Sequence, residues 1–274
     1  MQLCCITFFL QVNVILVSSH LKAPLESCKF MENKIQMELL ITIGFPLVAA
    51  IFYGLLLREL HTGIQLADLP KDKKKRTWKR IIITLVAWTL MITALSVSGF
   101  LSDFTAMPPR PTIVIIIPLI LIILATRSTI TSEILKHIPP QNLIRLQSFR
   151  IFVEVLLWML FVENLVPVQM TFEGRNFDIL SGITALIIVW FMRSGKVPDI
   201  AIILWNFVCL GLLINIVGVA ILSMPLPFRV FMNEPANTVV MKFPEVLLPG
   251  LLVPLAYGLH FISLKQALLK KGKH

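Results

Sequence analysis

Seven long apolar stretches separated by polar turns dominate the pattern of the chain. They are residues 39–57, 81–101, 112–126, 149–166, 177–192, 198–222 and 244–264. Most approach the ~20 residues that a helix needs to cross a hydrocarbon core about 30 Å thick. The pattern predicts an all-α fold, a polytopic transmembrane helix bundle of about seven spans that forms a single domain over residues 31–274.

The Lys and Arg residues fall mainly into alternate turns. If the 58–80 turn is cytoplasmic and each span reverses the side, 18 of the 25 basic residues lie in the cytoplasm and seven lie outside. Membrane proteins keep Lys and Arg in their cytoplasmic loops. We therefore expect an outside N-terminus, a cytoplasmic C-terminus and a location in the cell membrane (inner or plasma membrane).

Composition agrees with a membrane protein, since 57% of the residues are hydrophobic and 15% are charged, against about 25% charged in soluble domains. The net charge of +10 lies in the turns, which argues against a nucleic-acid partner. The basic run Lys71–Arg80 fits two roles. It can anchor the topology, or it can bind anionic lipid headgroups at ~1 kcal/mol per residue.

Residues 1–30 differ from the rest and hold three of the four cysteines. Residues 3–17 are apolar, but no basic residue precedes them, as one would in a signal peptide. A leader, an extra helix and a translation start at Met31 or Met37 all fit, and we favour the late start. Cys209 stands alone in the body, which predicts no intramolecular disulfide and no cysteine-based metal site there.

Proline marks weak points within four spans, at Pro46, Pro118, Pro249 and Pro254. Each removes a backbone hydrogen bond, so we expect either simple packing kinks or breaks whose free carbonyls neighbouring helices satisfy. The third span has 15 residues, about 22 Å, so we expect it to continue past Arg127 or to thin the bilayer locally. The Phe and Met residues of the 223–243 loop predict that it lies on the membrane surface.

The fourth span is the richest in polar groups. Gln147, Arg150, Glu154 and Trp158 follow one another at spacings of three and four residues, so they share a helix face. Arg150 can reach the cytoplasmic surface, with Glu154 merely neutralising it. Alternatively, Glu154 faces an internal cavity and binds a proton, a cation or a substrate, because charge inside a bilayer is costly and marks function.

A second polar group is expected at the outer end of the fifth span. Asp178 shares a face with Gly182, and it can either cap the helix or bind a ligand. Glu163, Glu173 and Arg175 could join it. Because Arg150 and Asp178 begin successive antiparallel helices, we predict that they lie at opposite membrane faces and do not pair.

Asn206 and Asn215 of the sixth span are nine residues apart, so they point to nearly opposite faces. In the seventh span, His260 is expected at the depth of Arg150 and Glu154. A cluster of these three side chains is permitted, although a lone buried His is more often a packed, hydrogen-bonded residue.

Three motifs carry a resemblance to a family, at 146–151 (LQSFRI), 177–185 (FDILSGITA) and 243–255 (FPEVLLPGLLVPL). They resemble uncharacterised bacterial integral membrane proteins over roughly residues 140–265. The resemblance implies a bacterial inner-membrane location and brings no activity, substrate or cofactor. Glu154 departs from the small residue expected in that family. The matching residues are Gln147, Arg150, Pro167, Asp178, Gly182, Pro244, Pro249, Pro254 and His260.

Several functions are disfavoured by missing residues. The last span has no central Lys for retinal, His260 is the only histidine within a span, and phosphate-loop, esterase and zinc-protease motifs are absent. We therefore predict no catalytic residue, no metal and no cofactor.

Two functional hypotheses remain open. The first is a transporter or permease-like protein with a polar site between helices four, five and seven, with Glu154 or Asp178 as the coupling carboxylate. The second is a membrane assembly or sensor component whose buried charges are structural. A lipid-modifying enzyme with Asp178 and Glu163 as outer acids ranks third. The candidate ligand-binding residues are Arg150, Glu154, Asp178, His260, Gln147 and Glu163.

Overall fold

The computed structural model describes the backbone of residues 2–195 and 197–271 and the side chains of residues 34–195 and 197–269. All the regular secondary structure in this part of the chain is helical. The predictions for residues 1–30 lie outside the described side chains. Contacts divide the chain into Met1–Thr42, whose described residues belong to α1, and Ile43–His274, whose described residues hold the helix packing given below. The α-helices are α1 Gln2–Leu66, α2 Lys71–Val97, α3 Thr112–Arg127, α4 Thr129–Leu135, α5 Pro140–Leu146, α6 Phe149–Val162, α7 Ile179–Arg193, α8 Asp199–Leu222 and α9 Val253–Lys271.

Four of the described helical segments are long and apolar enough to cross a membrane, and a bent pair can supply a fifth. This confirms the all-helical fold and the apolar spans, but not the predicted number of seven. The shortfall arises because α6 and α7 have 14 and 15 residues, less than the ~20 that a straight span requires. The four segments are Lys34–Leu66, Lys71–Val97, Asp199–Leu222 and Leu248–Leu269.

The third predicted span bends instead of running straight on. Helix α3 ends at Arg127, and α4 leaves it at an angle of 74°. Ser128 adopts an extended conformation between them, and its Oγ accepts a hydrogen bond from the Ile130 amide. The Lys265 ammonium donates to the carbonyls of Thr126 and Ser128, so α9 holds the bend in place.

The helix ends form two groups. At the first, Asn142 donates to Glu59, and Lys265 lies against the end of α3; we call this the basic end, since the basic turns flank it. At the opposite end, Ser96 donates to the Met241 carbonyl. The helices between these ends therefore alternate in direction along the chain.

Proline breaks the last span next to two aromatic hydrogen-bond donors. A π-helical turn, Leu248–Leu252, precedes α9. Pro254 has no N–H for the Gly250 carbonyl four residues earlier, and Trp88 Nε1 donates to that carbonyl at 2.7 Å. The Tyr53 hydroxyl donates to the neighbouring carbonyl of Leu251 at 3.0 Å. Neighbouring helices thus satisfy the break, as one of the two interpretations of the prolines predicts.

Replacing Trp88 by Phe should therefore destabilise the protein by about 1–3 kcal/mol, the cost of leaving a buried carbonyl without its donor. The measurement is chemical unfolding of the protein in detergent. Trp190→Phe is the control, because Trp190 is 66% exposed. Equal effects of the two substitutions would show that the hydrogen bond to Gly250 contributes nothing.

Helices α5 and α6 form one longer segment. Gln147 and Ser148 connect them through i to i+3 hydrogen bonds, such as that from the Arg150 amide to the Gln147 carbonyl. Helix α1 lies antiparallel along both, because Gly44 packs on Leu156 while Glu59 bonds Asn142 of α5. From Pro140 to Val162 the segment is about 35 Å long, and Arg150 lies about 15 Å from its start.

The connection after α6 turns back along the same helix. Trp158 Nε1 donates to Glu173 at 2.6 Å, and one turn earlier Asn176 donates to Glu154. Helix α7 consequently begins beside the middle of the α5–α6 segment. It then runs towards the basic end, where Ala185 and Val189 pack on Ile144.

Candidate functional site

Arg150 and Asp178 form a buried ion pair, with Arg150 Nη1 2.6 Å from Asp178 Oδ1. Both residues are almost fully buried, at 1% and 6% exposure. The prediction that they do not pair is therefore wrong. It assumed that each residue begins a span at a membrane face, whereas Arg150 lies halfway along α5–α6 and the returning connection carries Asp178 down to it.

Asp178 does not cap α7 through its side chain. Its carboxylate instead accepts from Arg150 and from the Ser181 hydroxyl, which lies at 3.3 Å. Gly182 allows α7 to lie this close to α6, since a Cβ at this position would lie 2.8 Å from Ile151 Cγ1 and 3.1 Å from the Ile151 amide nitrogen. The absence of a side chain at Gly182 thus allows close contact between α7 and α6.

Glu154 lies one turn beyond Arg150 and is 1% exposed. Asn176 Nδ2 lies 2.7 Å from both carboxylate oxygens and also donates to the Met170 carbonyl. Asn176 Oδ1 accepts from the Asp178 amide. This one amide therefore links the two acidic groups and fixes the returning connection.

Asn176 is the site residue that the sequence-based prediction missed. It stands in a polar, glycine-containing turn (EGRNFD, 173–178) that gives no periodicity. The available signal was an amide two residues before Asp178, a spacing at which Asn commonly bonds the backbone.

His260 lies in the same core, facing α8. Its Nδ1 is 2.7 Å from Asn206 Oδ1, and Asn206 Nδ2 donates to the Ser263 hydroxyl at 3.0 Å. No hydrogen bond joins His260 to Arg150 or Glu154 among the described residues. The cluster of Arg150, Glu154 and His260 that the sequence permits is therefore not a hydrogen-bonded triad, and His260 bonds Asn206 instead.

The remaining candidates divide between core and periphery. Gln147 is buried and donates to the Ala256 carbonyl at 3.2 Å. Glu163 lies at the C-terminal end of α6, where it is half-buried and takes no part in the bonded network of the described chain. Asn206 is fully buried and Asn215 is exposed, which confirms their opposite directions.

Three buried groups of this core keep unused hydrogen-bonding atoms. Among the described side chains, Arg150 Nε and Nη2, His260 Nε2 and Gln147 Oε1 have no partner. The Nε and Nη2 atoms form the edge of a guanidinium that binds carboxylates with two parallel bonds. Within the described chain, the Arg150 guanidinium therefore keeps this donor edge unpaired beside its ion pair with Asp178.

A cavity of about 70 Å³ adjoins this core on the side of the opposite end. It lies between α3, α6, α8 and the π-helical turn, and segments 168–170 and 239–241 cover it. Of the fifteen described residues that line it, Glu154 alone is charged, and the others are apolar. The surface exposed to the cavity is wholly apolar, so Glu154 borders it through its carbon atoms while Asn176 bonds its carboxylate oxygens.

Fold and site together define an all-helical protein with several membrane-type apolar helices around a buried ionic core. Residues 108–268, more than half of the chain, match the family model described as a domain of unknown function (DUF8737). The chain therefore belongs to this family, which is uncharacterised, as the sequence resemblance implied. No curated protein matches the chain. No solved structure matches it.

Proposed function

We propose that this protein is a multi-pass protein of a bacterial inner membrane, with seven membrane-embedded segments. Five are α1, α2, α3 with α4, α8, and the π-helical turn with α9. The other two are the combined α5–α6 segment and α7 together with the connection that precedes it. Support comes from the alternating direction of these segments and from the basic turns gathered at one end.

The orientation that we propose places the basic end in the cytoplasm and the N-terminus outside, following the excess of Lys and Arg there. Most basic side chains of Lys71–Arg80 are exposed at the start of α2, where they can contact anionic lipid headgroups. The 223–243 loop exposes Phe228, Val230 and Met232, and we place it on the outer membrane surface.

Within this topology we propose a transporter or permease-like function, with the polar core between the fourth, fifth, sixth and seventh segments as the solute site. The observation that carries the proposal is Glu154, whose buried carboxyl group belongs to the ionic core and whose carbon atoms border the adjoining cavity. Transporters commonly place their sites at mid-membrane beside broken helices, and the π-helical turn is such a break.

The alternative is a membrane assembly or sensor component in which the charges only fix helix packing. The close bond between Arg150 and Asp178 favours it, because this bond joins α6 to α7 and to the returning connection. The two functions differ in whether the cavity opens to both sides of the membrane.

Cysteine accessibility tests the transport proposal without a known substrate. Val217→Cys, in a chain whose four cysteines are replaced by Ser, places a thiol on the cavity wall. We expect a membrane-impermeant thiol reagent to modify it in both right-side-out and inside-out vesicles. The control Val230→Cys should react from the outside alone.

Glu154→Gln should change this accessibility to one side while protein abundance stays at the unsubstituted level. Glu163→Gln is the matched control, because Glu163 lies outside the core. Reaction of Val217→Cys from one side in every variant, or a loss of abundance in Glu154→Gln, would favour the structural role.

A further inference from the structure

A groove opens beside the last turns of α9, at the basic end of the structure. It encloses about 400 Å³ and lies between the end of α3 and one face of α9. The α9 residues that line it recur at i, i+3, i+4, i+7 and i+8, so they form one continuous strip about 12 Å long. This strip consists of Phe261, Leu264, Lys265, Leu268 and Leu269.

The bend after α3 leaves the strip uncovered. Helix α4 departs from α3 at 74°, and a neighbouring face of α9 packs against it, where Gln266 donates to the carbonyls of Leu135 and Ile138. Leu268, on the strip, is consequently 58% exposed. The surface that the groove exposes is mainly apolar, with a small polar part.

Two cationic residues lie where the groove meets the end of α3. The Lys265 ammonium donates to the carbonyls of Thr126 and Ser128, which uses two of its three hydrogens. Arg127 is the last residue of α3 and is exposed, and it belongs to no ion pair of the described chain. Among the described residues that line the groove, none is acidic. The apolar strip therefore ends at positive charge that has no acidic partner there.

This combination fits an anionic amphiphile. A guanidinium binds a phosphate group through parallel charge-assisted hydrogen bonds, and an alkyl chain removes the apolar strip from water. A free phosphate ion would use the cations but would leave the strip uncovered. Basic residues at the cytoplasmic end of membrane helices attract anionic lipids, and the sequence adds three more directly after the strip, Lys270, Lys271 and Lys273.

We propose that this groove binds an anionic phospholipid, with its phosphate on Arg127 and Lys265 and one acyl chain along the α9 strip. The site is separate from the basic start of α2 and goes beyond the transport function. It rests on the membrane location proposed above. A lipid bound there joins the end of α3 to α9 beside the bend.

The test is native mass spectrometry of the full chain in detergent, titrated separately with phosphatidylglycerol and with phosphatidylcholine of the same acyl chains. We expect the first phosphatidylglycerol to bind about tenfold more tightly, since its charge is uncompensated and two cations face it. Arg127→Gln should reduce this preference to about twofold or less. The matched control is Arg193→Gln, because Arg193 is also exposed and ends α7 at the same end; it should keep the full preference.

The acyl-chain contact has its own pair of variants. Leu268→Gln keeps both cations but makes the strip polar, so it should weaken the binding of both lipids by about threefold or more. Leu124→Gln is the control, because Leu124 is 60% exposed on α3 and lies outside the groove lining. Inorganic phosphate should not displace the bound lipid.

Equal affinity of the unsubstituted protein for the two lipids would overturn the proposal. So would equal losses in Arg127→Gln and Arg193→Gln, equal losses in Leu268→Gln and Leu124→Gln, or displacement by inorganic phosphate. If Val217→Cys reacts from both membrane sides while the lipid preference is absent, only the lipid site is wrong. If the preference is present while Val217→Cys reacts from one side, the lipid site stands and transport fails.

Discussion

Arg150→Met is expected to destabilise the protein by about 3–5 kcal/mol, the largest effect of any single side chain in the core. The substitution leaves Asp178 buried and without its counter-charge, and breaking a buried ion pair from one side costs this much. Asp178 is 6% exposed, so water cannot compensate fully. Unfolding in detergent, monitored by tryptophan fluorescence, measures the change.

A double substitution separates the ion pair from general packing. Arg150→Met with Asp178→Leu removes both charges, and buried pairs replaced by apolar residues are often neutral in stability. We expect the double variant to be more stable than either single variant. Arg145→Met, on the preceding turn where the side chain is exposed, should change stability by less than about 0.5 kcal/mol, the usual limit for a surface site. If the loss of stability in the double variant equals the sum of the losses in the two single variants, Arg150 and Asp178 do not interact directly.

Gly174→Ala is expected to cost about 3 kcal/mol, the upper part of the range for overpacking. A Cβ at this position would lie 2.4 Å from the Val168 carbonyl oxygen and 2.6 Å from Gln169 Cα. Both are backbone atoms, which cannot rotate away. The returning connection would have to move, and with it Asn176, which holds Glu154.

The same substitution elsewhere in the chain supplies the control. A Cβ added at Gly211 in α8 would have no atom of the described residues within 4 Å, so Gly211→Ala should be neutral or slightly stabilising. If Gly174→Ala unfolds at the same denaturant concentration as Gly211→Ala, the returning connection does not pack as described.

The helical class and the residues of the core followed from the sequence because both depend on local patterns. Apolar stretches predict helices, and the spacing of Gln147, Arg150 and Glu154 predicts a shared face. The buried positions of these three side chains agree with that face. Local spacing also predicted that the side chains of Asn206 and Asn215 point to nearly opposite faces of their helix.

The pairing of Arg150 with Asp178 could not be predicted in this way. It depends on where α5–α6 starts and on how the 163–178 connection returns, and both are tertiary features. Apolar character alone began the fourth span at 149, although the helical path already begins at Pro140. Because the predicted span starts too late, it places Arg150 at a membrane face instead of in the middle of the segment. This misplacement led to the wrong prediction that Arg150 and Asp178 do not pair.

The prediction of seven spans is confirmed only for four or five long apolar helices, for a related reason. Hydropathy does not distinguish a straight helix from a helix followed by irregular chain. Residues 163–178 contain apolar positions, but Gly174 and Asn176 belong to a bonded turn. The π-helical turn likewise interrupts the last apolar stretch.

Thiol labelling in intact cells tests most directly whether this ionic core lies inside a membrane-spanning bundle. Lys75→Cys and Val230→Cys, each in a chain whose own cysteines are replaced by Ser, mark the basic end and the opposite end. We expect an impermeant maleimide to label Val230→Cys at once and to label Lys75→Cys after permeabilisation alone. Immediate labelling of both positions, or of Lys75→Cys alone, would contradict the proposed bundle and its orientation.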